Sequence, residues 1–248
     1  MNHLPPNEQP LKMNFIEITP DNVNDFKSKK IEALPILKTG TTTVACIIKD
    51  GVVMATDNRA TMGYFVANKN AKKLHRIQDY LYMTIAGGVA DAIYLIDLLK
   101  AETEIYNLKN EKPIGIGQSA KLLQNILYNK KGFYQVGHLL GGVTDSEGPK
   151  VYNLGGYGSI LEDDYASVGS GSVFAMGILE TEWKKDLTLE EGLKICTRAV
   201  RSAIIRDMAS GNGIDLVAIQ KGKEVVEKRY EISDENLIEL NVEKKNRK

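Results

Sequence analysis

Histidine and cysteine are scarce in this chain of 248 residues, with three of the first and two of the second and no Cys-x-x-Cys pair. The usual ligand sets for zinc are missing, so no metal or other cofactor is expected. Cys46 and Cys196 fall in segments that read as a buried strand and a helix face. A free thiol there behaves as a small apolar side chain, and a disulfide-free protein of the cytoplasm is expected. An excess of charge of either sign is lacking as well, because Lys and Arg total 32 and Asp and Glu total 32. No overall field draws the chain to nucleic acid or to an anionic bilayer. No apolar run reaches the roughly eighteen residues of a membrane span, and residues 1–10 lack the apolar stretch of a secretory signal.

What is present is the composition of one sizeable globular domain, 43% hydrophobic and 26% charged. Five of the seven prolines (Pro5, Pro6, Pro10, Pro20 and Pro35) lie before Gly40, among Asn, Asp, Glu and Lys, so the first forty residues read as an appendage. The character changes at Thr41. Thr42 to Ile48 is β-branched, Lys49-Asp50-Gly51 signals a turn, and Val52 to Thr56 resumes an extended run, which predicts a hairpin. Further strands are predicted over 73–77, 80–86, 136–144, 150–154, 160–168 and 214–220.

Helical spacing predicts helices over 90–108 (Ile93, Leu95, Ile96, Leu99 and Ile105 on one face), 119–128, 172–183, and from a capping box at Thr188 and Glu191 onward. Strands, two helices, strands, two helices and strands supply enough helix to cover both faces of two stacked sheets. The expected fold is an α/β sandwich with four-layer αββα order. Neither Gly115-Ile116-Gly117 nor Gly169-Ser170-Gly171 is followed by the Lys-Ser/Thr of a phosphate loop, which removes nucleotide binding by this chain.

The chemistry centres on Gly40-Thr41. Cleavage there exposes a threonine that carries both a nucleophilic hydroxyl and an α-amine with a pKa of about 8, able to take the hydroxyl's proton near neutral pH. An internal threonine lacks that base, so the uncut chain is expected to be latent. Asp57, at the end of the returning hairpin strand, is brought near Thr41 by pairing. Composition alone leaves two readings of it, a strand-end ion pair with Arg59 or an inward pair with one of the lysines in Lys69-Asn70-Ala71-Lys72-Lys73.

Six segments in order, Thr41-Thr42-Thr43-Val44, Ala55-Thr56-Asp57-Asn58-Arg59, Lys72-Lys73-Leu74, Thr84-Ile85-Ala86-Gly87, Gly169-Ser170-Gly171-Ser172 and Arg206-Asp207-Met208-Ala209-Ser210-Gly211, resemble the motifs of proteasome β subunits, the archaeal ones above all. The resemblance spans Thr41 to Gln220. It implies an N-terminal-nucleophile hydrolase fold with two stacked antiparallel sheets, a propeptide over 1–40 and a catalytic domain over 41–248. Carried over by position, Thr41 is the nucleophile, Asp57 and Lys73 its charged pair, and Gly87 the oxyanion donor. Ser170, Asp207 and Ser210 hold the amine. Ala60, Thr61, Ala71, Ile85 and Val89 surround the pocket for the residue before the cut, which implies a preference for large apolar side chains.

The resemblance further implies stacked seven-membered rings with α subunits and other β subunits, unfolded chains as substrates, and a separate ATPase reached through the α ring. Two departures are the length of the leading segment and Asn58, where a second Arg is frequent. The rival readings are a non-catalytic ring subunit, against which the intact Gly40-Thr41, Asp57 and Lys73 argue, and a small-molecule amidase, which leaves the later motifs unexplained.

Overall fold

The alternating runs and turn signals become fourteen strands and four helices in the computed structural model, which describes residues 40–130, 132–233 and 236–240. The expected propeptide, apart from Gly40, and the basic end at Lys244, Lys245, Arg247 and Lys248 lie outside the described residues. In chain order the first seven strands are β1 (Thr43–Ile48), β2 (Gly51–Asp57), β3 (Ala60–Met62), β4 (Phe65–Asn68), β5 (Leu74–Gln78), β6 (Leu81–Thr84) and β7 (Ala86–Gly87). Helices α1 (Val89–Asn110) and α2 (Ile116–Asn129) follow, then strands β8 (Val136–Thr144), β9 (Gly148–Gly155), β10 (Ile160–Glu162) and β11 (Tyr165–Val168). Helices α3 (Ser172–Glu182) and α4 (Leu189–Arg206) precede β12 (Gly213–Gln220), β13 (Val226–Ser233) and β14 (Asn236–Leu240).

Two antiparallel sheets result. One has the order β11-β1-β2-β12-β13-β14, the other β10-β9-β8-β6-β5 with β7 also on β8, and β3-β4 forms a separate hairpin. The pleat explains the layering, because successive side chains of a strand leave on opposite faces. Val44, Cys46 and Ile48 of β1, Val53 and Ala55 of β2, and Ile214, Leu216 and Ala218 of β12 pack with Leu179, Cys196, Ala199 and Val200 of α3 and α4. Their neighbours Ala45, Val52, Met54, Val217 and Ile219 turn the other way and meet Tyr82, Leu139 and Val151 of the second sheet. That sheet's outer face, with Leu81, Met83, Leu140 and Leu154, is covered by Leu95, Leu99, Leu123 and Leu127 of α1 and α2. The four layers are those expected. The Thr188 hydroxyl accepts from the Glu191 N–H at 3.2 Å and the Glu191 carboxylate accepts from the Thr188 N–H at 2.9 Å, the reciprocal cap that starts α4.

Three expectations need correction. The run 160–168 is two strands on different sheets. Asp163 N–H still donates to Val151 carbonyl of the second sheet at 3.2 Å, while Asp164 carbonyl already accepts from Ile47 N–H of the first at 2.7 Å. The crossing falls in the acidic run Glu162-Asp163-Asp164, which by itself does not tell a polar strand face from a change of sheet. On α1 the buried face is Ala92, Leu95, Ile96, Leu99 and Thr103, whereas Ile93 and Ile105 are exposed. The charged hairpin β13-β14 and the hairpin β3-β4 are additions. The Arg229–Asp215 and Lys228–Glu239 ion pairs lie on this hairpin and its neighbour β12, while Val226, Tyr230 and Leu237 pack against the core and Ile238 and Leu240 are exposed. The sulfurs of Cys46 and Cys196 lie 3.5 Å apart as free thiols.

His138 of β8 is fully buried, with Nδ1 against the Thr84 carbonyl at 3.0 Å and Nε2 without a partner. Burial, above all, pushes its pKa from 6.5 down to about 4, with a smaller contribution from His75. Because the folded value lies below the unfolded one, the folded chain binds fewer protons between those two pH values. Stability is fully present above pH 6.5 and is lost as pH falls toward 4, by about 3 kcal/mol at most. Urea midpoints taken across this window are expected to fall in the unmodified chain and to fall distinctly less in His138→Asn.

Candidate active site

Pairing within the first hairpin decides where the chemistry collects. Asp57 ends β2, its N–H donates to the Thr42 carbonyl at 3.0 Å, and its side chain is fully buried. A buried carboxylate is costly unless its lone pairs are used. Here Oδ1 accepts from Lys73 Nζ at 2.7 Å and Thr42 N–H at 2.8 Å, and Oδ2 accepts from Gly211 N–H at 3.0 Å and Arg59 N–H at 3.1 Å. Four donors from four segments of the chain therefore converge on one group. The pair with Lys73 is the inward one. Arg59 touches Asp57 only through its backbone, while its guanidinium reaches Met208 carbonyl at 2.8 Å and Asn212 Oδ1 at 3.0 Å, so a strand-end ion pair with Asp57 is not formed.

Lys73 stands immediately before β5 and is almost wholly buried. Burial holds its pKa below the ordinary 10.5, with the attraction of Asp57 opposing that shift. The ammonium also lies 3.3 Å from the carbonyl oxygen of Gly40. The same oxygen accepts the Thr41 hydroxyl at 2.6 Å, and the Gly40 N–H donates to Thr61 Oγ1 at 2.8 Å. The peptide group between Gly40 and Thr41 is thus held by a nucleophilic hydroxyl and an ammonium, and its neighbour on the N-terminal side by Thr61. There is no room for a side chain at position 40, because a Cβ there would sit 1.7 Å from Ala209 Cβ.

On the other side Thr41 N–H donates to Ser170 Oγ at 3.1 Å, and Thr41 carbonyl accepts Gly171 N–H at 3.3 Å. Asp207 closes α4 as its C-terminal cap. Its Oδ2 accepts both Ser170 Oγ at 2.6 Å and Ser210 Oγ at 2.7 Å, and its Oδ1 accepts Ala209 N–H at 3.2 Å, a turn of the kind Asp makes with residues just ahead of it. Gly169 has φ +114°, and a Cβ at that position would lie 2.1 Å from the Thr41 carbonyl oxygen, so glycine is required for conformation and for space.

The structure brings Gly40, Thr41, Asp57, Lys73, Ser170, Asp207 and Ser210 into one connected cluster. The remaining positions join it less directly. Gly87 ends β7 with φ +97°, and Ile85 N–H donates to the Lys73 carbonyl at 3.0 Å. Of the pocket residues, Thr61 reaches Gly40, and Ala71 N–H is tied to the Asn58 carbonyl at 2.8 Å. Ala60 begins β3, and Val89 begins α1 with its side chain exposed. Ile85 is buried in the core beneath α1 rather than open to a cleft. The role of Arg59 as the clamp on 208–212 was not anticipated from the sequence, because its partners Met208 and Asn212 lie about 150 positions away. Among the described residues no group of His, Cys, Asp and Glu could hold a metal ion, and no helix is long and apolar enough to cross a membrane.

A family model described as "Proteasome subunit" matches residues 37–219. "Proteasome subunit beta" of Methanosphaera stadtmanae is 49% identical over 182 residues, 73% of this chain and 87% of that protein. "Proteasome subunit beta" of Ferroglobus placidus is 45% identical over 190 residues, 76% and 90% of the two chains. "Proteasome subunit beta 2" of Nitrosopumilus maritimus is 41% identical over 182 residues, 73% and 87%.

The four-donor cage makes the Asp57–Lys73 pair asymmetric. Removing Lys73 leaves the carboxylate three backbone N–H donors, whereas removing Asp57 strands those donors together with a buried ammonium. Lys73→Met is expected to cost about 1–2 kcal/mol and Asp57→Ala about 3–5 kcal/mol, compared by urea unfolding of the two variants.

Proposed function

Because the chain belongs to the proteasome subunit family, we propose that it is a catalytic β subunit of a 20S core, a threonine-type endopeptidase that activates itself by cutting between Gly40 and Thr41. The observation that carries the reading is the double hold on the Gly40 carbonyl oxygen, by the Thr41 hydroxyl at 2.6 Å and the Lys73 ammonium at 3.3 Å. A carbonyl so polarised, next to the hydroxyl of the following residue, is arranged for addition of that oxygen to the carbonyl carbon. Lys73 stays an ammonium beside the developing oxyanion, and the proton the hydroxyl gives up as its oxygen bonds to the carbonyl carbon is taken by the Thr41 nitrogen as the C–N bond breaks. Water then hydrolyses the resulting ester. Residues 1–40 leave as the propeptide and the α-amine of Thr41 is freed.

In the mature chain that amine takes over as base. The Thr41 hydroxyl gives it a proton on attacking a substrate carbonyl, Lys73 lowers the cost of the developing alkoxide, and the Gly87 N–H receives the oxyanion. Ser170, Asp207 and Ser210 keep the amine's lone pair turned toward the hydroxyl. Ala60, Thr61, Ala71 and Val89 would meet the residue before the cut and favour cleavage after large apolar residues, while Ile85 stays in the core beneath α1. The partners are α subunits and further β subunits in stacked seven-membered rings, an ATPase acting through the α ring, and unfolded protein chains, all in the cytoplasm.

Intact mass of the chain after co-expression with its α partner is the direct test. Loss of residues 1–40 from the unmodified chain but not from Thr41→Ala is the expected result, and full-length chains in assembled, inactive rings would instead mark a structural subunit. Gly40→Ala is expected to slow the cut at least tenfold, since its methyl group meets Ala209.

A further inference from the structure

Thr42 is named by none of the roles above, yet its side chain is fully buried beside them. Its hydroxyl lies 2.6 Å from Ser210 Oγ, a contact in which either oxygen can donate, so its direction follows from what Ser210 does elsewhere. A serine hydroxyl has one hydrogen. Ser210 gives its hydrogen to Asp207 Oδ2 at 2.7 Å, so in the contact with Thr42 it accepts, and Thr42 donates. Ser170 Oγ has two acceptors in reach, Asp207 Oδ2 at 2.6 Å and the Thr41 carbonyl at 3.3 Å; the shorter contact, to a charged acceptor, takes its hydrogen, and its oxygen accepts from Thr41 N–H at 3.1 Å. The result is a one-way chain in which Thr42 donates to Ser210, Ser210 to Asp207, and, from the other side, Thr41 to Ser170 and Ser170 to Asp207.

The surrounding backbone makes room for this hydroxyl. Gly171 has φ −85°, which any residue adopts, so conformation does not require glycine there. Space does, for a Cβ at 171 would lie 2.1 Å from Thr42 Oγ1, 2.8 Å from Ala203 Cβ and 3.3 Å from Asp207 Oδ2. The glycine is explained by the Thr42 hydroxyl and the end of α4 together.

We infer that Thr42 is a positioning residue for the Thr41 amine, polarising Ser210 so that it is a stronger donor to Asp207 and thereby moderating the negative charge that Asp207 presents to that amine. The inference rests on the threonine-peptidase reading. Successive hydroxyls in a buried chain strengthen one another's donation. Without the Thr42 donor, Ser210 neutralises Asp207 less, the carboxylate favours the protonated amine more, and less free base remains near neutral pH. The other charged groups around Thr41 are Asp57 from β2, Lys73 ahead of β5, and Arg59 behind the 208–212 loop. Thr42→Val leaves all of them in place. It also keeps the Thr42 backbone N–H that serves Asp57.

The test compares Thr42→Val and Thr42→Ser in assembled rings. Thr42→Val is expected to lower kcat at pH 7 about three- to tenfold with KM little changed, and to move the acid limb of the kcat profile up by about half to one pH unit. Thr42→Ser should restore both. The titration of the Thr41 amine, read as the pH dependence of its acetylation by acetic anhydride in chains starting at Thr41, should move upward by the same amount. If Thr42→Val does not assemble, Thr42→Ala, which removes the same hydroxyl without adding bulk, is expected to give the same shift. An unmoved amine titration, or a Thr42→Ser form as impaired as Thr42→Val, overturns the inference. Unmodified rings no more active than Thr41→Ala overturn the peptidase reading instead, and the amine titration then decides the role of Thr42 alone.

Discussion

The buried carboxylate of Asp57 is the constraint around which the site is built. A charge removed from water has to be met by donors close at hand, and those donors come from the residue just before the first strand, the segment after the second, the loop after α4 and the lead into β5. Each of these segments carries another participant. Thr42 brings Thr41, Gly211 brings Ser210 and Asp207, and Lys73 brings the ammonium. Satisfying one acid therefore gathers the rest.

The layered architecture serves this convergence. Thr41 leads into β1 and Asp57 ends β2 of one sheet, and Lys73 leads into β5 of the other. Asp207 arrives at the end of α4, whose inner face is fixed on the first sheet by Cys196, Ala199, Val200 and Ala203. Packing sets the position of the helix end, and the helix end sets the position of the carboxylate that the two serines share. Arg59 then ties the segment beyond it to the strand end through Met208 and Asn212.

Much of this was legible in the sequence, for physical reasons. Hairpin β1-β2 has β-branched runs on each side of a turn, and α4 has its capping box, so both could be placed within a residue or two. The cluster from Thr41 to Ser210 was legible only by resemblance, since a lysine among lysines and a serine after a helix carry no local mark of burial. Other features left no trace at all. The face of α1 turned out to include Ala92 and Thr103 and to exclude Ile93, because what packs below the helix decides the face. Arg59 and Thr42 matter through bonds to residues about 150 positions away, and one-dimensional patterns do not encode such pairs.

The two aspartates between β10 and β11 have a mechanical meaning. Asp163 is still bonded within one sheet and Asp164 already within the other, so the sheets share a corner only one peptide long. A corner that short works as a rivet. Sliding one sheet along the other by a single residue would break both bonds, and the same slide would pull Lys73 away from Asp57. The alignment of the charged pair is thus locked from the far side of the sandwich, by a joint that takes no part in chemistry and cannot creep.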